Sequence, residues 1–211
     1  MTRLDIFSDP ICPWCLIGKT HLDRALTTRP DHPFEIRWHP FQLKPDMPKG
    51  GMDRQTYLED KFGGADGAAQ TYGRIAETAA ALGLDLDLDA ITRTPDTTDA
   101  HRLIHWAEVE GVQDAVVDGL FTAYFREGRD IGRMEVLADI ADTAGLDAAI
   151  VARLLITDED IDEVRGRDAA AREMGITAAP TFIVAGQHAV PGAQDQALWE
   201  KVIAEIAGPA A

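Results

Sequence analysis

Strand-like patterning is confined to the two ends of this 211-residue chain, and that division limits the folds open to it. Leu4 to Phe7 is a short apolar segment stopped by Ser8-Asp9-Pro10. Phe34 to Phe41 alternates with period two until Pro40 ends the run. Between them, after Pro13, Leu16, Ile17, Leu22, Ala25 and Leu26 recur at helical spacing, so the first 42 residues predict one βαβ unit. From about Asp53 to Arg165 the period is helical throughout. Val116, Val117, Leu120, Phe121, Tyr124 and Phe125 form one stripe, and Val136, Leu137, Ile140, Ala141 and Ala144 form another that Gly145 ends. A further helix is expected from Asp158, capped by Thr157, to Gly175. Strand patterning returns at Thr181-Phe-Ile-Val, followed by a Gly186-Gln187 hairpin turn, a short partner at His188-Ala-Val, and a closing helix over Ala197 to Ala207. The order predicts an α/β domain made of residues 1–45 and 166–211, interrupted by an all-helical insertion over 46–165.

Charge narrows the function. Twenty basic against 36 acidic residues leave a net charge of −16, a field that repels phosphate backbones and anionic lipid. Nucleic acid and membrane surfaces are therefore excluded as partners. No run approaches the 18 or so apolar residues of a membrane span, and the Met1 segment lacks a secretory apolar stretch, so a cytoplasmic location is expected. Cys12 and Cys15 are the only two cysteines, which excludes a disulfide scaffold.

That pair carries the chemistry. Proline is favoured at the first position of a helix, where its missing N–H costs nothing and its φ is preset. With Pro13 at that position, Cys12 is the N-cap, and its sulfur is expected to face the free N–H groups of Trp14 and Cys15 at the positive end of the helix dipole. Such a setting favours thiolate over thiol, so Cys12 is the candidate nucleophile and Cys15, one turn in, the resolving thiol. Pro13 and Trp14 are then the residues that tune the pair. A zinc site would need further ligands, and the nearest are His101 and His105, far beyond finger spacing. No metal site is expected. Gly18-Lys19-Thr20 lacks the upstream glycine of a phosphate loop, and Asp85, Asp87 and Asp89 lack the glycine and glutamate of a calcium loop. Pro180 precedes a strand, where the residues alone leave a cis turn or a trans edge proline open.

Ser-Asp-Pro-Ile-Cys-Pro-Trp-Cys-Leu-Ile-Gly at residues 8–18 resembles the active-site helix of the DsbA family, in its cytosolic FrnE-like branch. The similarity continues at Trp38-His-Pro-Phe-Gln-Leu, Asp96-Thr-Thr-Asp-Ala-His-Arg-Leu, Ala123-Tyr-Phe-Arg-Glu-Gly, Gly175-Ile-Thr-Ala-Ala-Pro-Thr-Phe and Pro191-Gly-Ala-Gln. The resemblance implies a thioredoxin-like fold with a helical insertion, thiol:disulfide oxidoreductase or isomerase activity at Cys12 and Cys15, and a cis Pro180 beside them. It implies substrate contacts at Ala179, Phe41, His101 and Arg102. Substrates would be disulfide-containing proteins or small thiols and disulfides. No cofactor would be tightly bound, with glutathione as a redox partner or co-substrate. A sister branch holds glutathione-dependent enzymes resembling 2-hydroxychromene-2-carboxylate isomerase and kappa-class glutathione transferases. These generally carry Ser at the position of Cys12, so the two cysteines here favour dithiol chemistry.

Overall fold

The computed structural model describes residues 1–207. The chain opens with β1 (Thr2–Ser8), α1 (Pro13–Thr28) and β2 (Phe34–Pro40). It then runs through β3 (Met52–Asp53), α2 (Arg54–Phe62), α3 (Ala65–Ala81), β4 (Arg93–Thr94), α4 (Thr98–Val109) and α5 (Gln113–Phe125). After α6 (Met134–Thr143), α7 (Ala148–Leu155) and α8 (Ile161–Glu173), it closes with β5 (Thr181–Val184), β6 (His188–Pro191) and α9 (Gln196–Ala207).

Both chain ends build one sheet of order β2-β1-β5-β6. β1 and β2 are parallel in the register Thr2↔Phe34 to Ser8↔Pro40, and β5 runs antiparallel to β1 with Leu4↔Val184. Period-two geometry sends Leu4 and Ile6 to one face and Phe7 to the other. On the first face α1 and α9 cover the sheet, with Trp199 meeting Phe182 edge-on at 4.7 Å. Both rings are fully buried, and the pair adds about 0.5–1.5 kcal/mol to the burial itself. On the second face Phe7, Phe41, Ala171 and Ile176 cluster beneath α8. The apolar cluster of the first face continues without a break into Leu103, Leu120, Phe121 and Phe125 of α4 and α5, so sheet and insertion share a core.

Three local features differ from the sequence expectation. The insertion is helical apart from a two-residue antiparallel ladder, Met52↔Thr94 and Asp53↔Arg93, too short to impose a period. α8 begins at Ile161 after a left-handed Asp160, not at Asp158. The cause is Thr157, whose hydroxyl donates to Leu154 O at 2.7 Å and accepts from Glu159 N–H, closing the end of α7 instead of capping α8. The β5–β6 turn bends at Ala185 and Gly186, both with positive φ, one residue earlier than Gly186-Gln187. The open edge of β2 is covered by one side chain: Gln113 accepts from Trp38 N–H at 3.0 Å and donates to its carbonyl at 3.3 Å, standing in for a neighbouring strand. No helix among the described residues is long and apolar enough to cross a membrane.

Candidate active site

β1 ends at Ser8, and the Asp9-Pro10-Ile11 turn delivers Cys12 to the N-cap of α1, where Cys12 N–H donates to Asp9 O at 2.9 Å. Pro13 takes the first helical position. The Cys12 thiol closes no hydrogen bond to the cap N–H groups; it donates instead to the carbonyl of Ala179 at 3.5 Å. Once ionised, the sulfur draws on other donors. Donation from the Cys15 thiol pulls the Cys12 pKa below the ordinary value against the opposing cost of burial, and the Cys15 backbone N–H acts in the same sense. Burial pushes Cys15 well up, and its hydrogen bond to Cys12 adds to the rise. One thiol is thereby ready to ionise, and the other holds its proton until the first is consumed.

The opposite wall comes from the far end of the chain. The Ala179–Pro180 peptide is cis and leads into β5, with Thr181 Oγ1 donating to Ala178 O at 2.7 Å and Gly192 N–H to Pro180 O at 2.8 Å. α1 approaches this segment closely because Gly18 has no side chain. A Cβ there would lie 3.2 Å from Pro180 Cγ, 3.3 Å from Phe182 Cζ and 3.4 Å from Ala193 Cα.

The insertion roofs the pair. α2 and α3 border a half-open cavity of about 150 Å³ over Cys12, walled by Ile11, Leu43, Phe62, Tyr72 and Ile75 with Trp14 and Ala179 at its sides. Cys12 is only 3% exposed beneath it. Lys61 brings the one full charge among the lining residues, its Nζ donating to Tyr57 Oη at 2.8 Å. Burial lowers the Lys61 pKa, while the Cys12 and Asp9 charges raise it back. Arg54 supports the roof by donating to the hydroxyls of Tyr72 and Tyr124.

Beneath the thiols lies a carboxyl that sequence reasoning passed over. Asp9 is fully buried, accepting from Leu43 N–H at 2.6 Å and Ile11 N–H at 3.4 Å. Burial nevertheless raises its pKa from 3.8 to about 6. His101 Nε2 lies 3.8 Å from Asp9 Oδ1; neither ring nitrogen has a hydrogen-bond partner, and burial pushes the imidazole down to about 4. The only sequence signal for Asp9 was its place beside Pro10, three residues before Cys12. Nothing in α2 marked Lys61.

Of the expected substrate contacts, Ala179 shares the cavity with Cys12; Trp14, expected to tune the pair, is 37% exposed at its rim. Phe41 lies under the second face of the sheet, covered by the Arg172 guanidinium at 4.3 Å, and His101 is 2% exposed beside Asp9. The expectation for Arg102 requires correction. Its side chain is fully buried and donates to the carbonyls of Leu154, Thr157 and Glu159 and to Asp99, so it ties the α7–α8 connection to α4 and has no donor facing the cavity. Among the described residues no cluster of His, Cys, Asp or Glu could hold a metal ion.

A dithiol at the start of the first helix of a thioredoxin-like sheet, with its two pKa values driven apart, defines a thiol–disulfide oxidoreductase. Residues 3–204 match the DSBA-like thioredoxin domain, and the chain belongs to that family. The Bacillus subtilis (strain 168) protein YwbO, itself uncharacterized, is 29% identical over 204 residues, 96% of each chain. A probable DsbA oxidoreductase from Streptomyces coelicolor superposes with a TM-score of 0.86 at 30% identity, covering 100% of this chain and 92% of that one. The fold alone is shared with the cytosolic disulfide reductase DsbM from Pseudomonas aeruginosa, solved with GSH: TM-score 0.65, 19% identity, 95% and 96% of the two chains.

Proposed function

We propose that the protein exchanges two electrons with disulfide substrates through its Cys12-Pro13-Trp14-Cys15 centre. In the reducing direction the Cys12 thiolate attacks one sulfur of a substrate disulfide, forming a mixed disulfide and releasing the first substrate thiolate. Cys15 then loses its proton and attacks Cys12 Sγ, forming the Cys12–Cys15 disulfide and releasing the second thiolate. The substrate disulfide is reduced to two thiols as the enzyme dithiol is oxidised, and the reverse sequence oxidises a dithiol. The observation that carries this reading is the placement of the pair: Cys12 at the N-cap of α1 and Cys15 within its first turn, with the Cys12 thiol against the Ala179 carbonyl at 3.5 Å and lining the cavity. Glutathione fits as the small thiol that recycles the pair, and a reducing, cytoplasmic setting agrees with a chain whose two cysteines both lie in the motif.

Reduction of insulin and of glutathione disulfide by wild type, Cys12→Ser and Cys15→Ser tests the proposal. Cys12→Ser should abolish turnover, and Cys15→Ser should accumulate a mixed disulfide on Cys12. Glutathione-dependent isomerisation of a small aromatic acid that survives Cys12→Ser would replace this reading with that of the isomerase branch.

A further inference from the structure

The cavity over Cys12 differs in two ways from the surface around it. It is small: about 150 Å³, the space that takes a benzene-sized group when its walls are apolar, against roughly 300–1,000 Å³ for ordinary ligand sites. It is also positive at its one charged point, Lys61, in a chain whose net charge is −16. The ammonium has three donors, one of them given to Tyr57 Oη. Leu43, Tyr57 and Lys61 also wall a neighbouring cavity of about 260 Å³ bordered by Lys44, Asp46 and Asp60, so Lys61 borders both spaces.

Resting on the dithiol reading above, we propose that this site selects low-molecular-weight disulfides with compact anionic substituents over folded-protein disulfides, Lys61 receiving the anion. Cys12 is 3% exposed as a residue and lines this pocket beside α2 and α3, so its sulfur meets most readily a disulfide whose substituents fit the pocket. A disulfide in a folded protein brings two backbone segments with each sulfur; a short acidic thiol brings two or three carbons and a carboxylate. The Cys12 thiolate displaces one such thiol as its thiolate, and the substituent left in the mixed disulfide keeps its carboxylate against Lys61 while Cys15 attacks.

Three symmetrical disulfides of nearly equal size provide the test: dithiodipropionate (anionic), hydroxyethyl disulfide (neutral) and cystamine (cationic), with insulin as the protein substrate. Each kcat/KM is corrected for the disulfide's own rate with dithiothreitol. The acidic surface favours cystamine, so a preference for dithiodipropionate must come from the pocket. About a tenfold preference is expected in wild type, a modest fraction of an ion pair at a high effective dielectric. Lys61→Met should bring the ratio near parity, chiefly through KM, and Lys61→Arg should restore it. Equal or faster turnover of cystamine by wild type overturns the proposal, as does insulin reduction at the same corrected kcat/KM or an undiminished preference in Lys61→Met. Loss of all disulfide reduction in wild type instead overturns the dithiol reading.

Discussion

Asp9 makes a pH-dependent contribution to stability whose size follows from its burial. The folded carboxyl titrates at about 6 instead of 3.8, and each tenfold step in proton affinity is worth about 1.4 kcal/mol. The folded state therefore bears a cost of about 3 kcal/mol once Asp9 is ionised. Below pH 3.8 the group is protonated in both folded and unfolded chains, and the cost is absent. Between 3.8 and about 6 the unfolded chain loses its proton first and stability falls; above about 6 the full cost is present. His101 acts in the opposite sense over nearly the same range. Its folded pKa of about 4 lies below the ordinary 6.5, so acidification through that window favours the unfolded chain. The two contributions offset each other, and the wild-type profile alone is uninformative. Asp9→Asn isolates the carboxyl, because its altered hydrogen bonding to Leu43 and Ile11 adds an offset that does not depend on pH. Urea denaturation at steps from pH 4 to 7 should show the stability of Asp9→Asn relative to wild type rising by about 2.4 kcal/mol, the rest of the cost being already present at pH 4. The variant should also have a lower Cys12 pKa, since the Asp9 charge opposes the thiolate. A difference that stays constant across this range would refute the reasoning.

Two further outcomes test the framework around the thiols. Arg102→Met should cost about 3 kcal/mol, near 1 for each orphaned carbonyl of Leu154, Thr157 and Glu159, without altering KM; denaturation and kinetics on one preparation check both. Gly18→Val should cost at least about 2 kcal/mol by forcing α1 off Pro180 and Phe182, and a thermal melt that matches wild type would contradict the close approach.

What the sequence disclosed depended on whether a residue's role was local. Pro13 between two cysteines specifies a helix start and an N-cap thiol through the backbone geometry of neighbours, and the alternation of Phe34–Pro40 specifies a strand in the same way. Asp9, Lys61, Tyr57 and Tyr72 act through space. Lys61 follows Cys12 by 49 positions on a helix of ordinary composition, and no periodicity marks its approach to the thiol. Arg102 entered as a substrate contact through the family resemblance and not through any pattern of its own. Its true partners are carbonyls at a helix end, which carry no sequence signature. β3 and β4, two residues each, are fixed by tertiary contact and not by pattern.

The claim at the centre of this account is that Cys12 is the activated thiol and Cys15 the reluctant one. Ultraviolet titration of thiolate absorbance in the reduced protein measures it directly. One thiolate should form below the ordinary value of about 8.5, vanish in Cys12→Ser, and persist at a higher pKa in Cys15→Ser, where the donor that most favours it is lost. A transition that survives Cys12→Ser, or the absence of any thiolate below the ordinary range, would contradict the assignment.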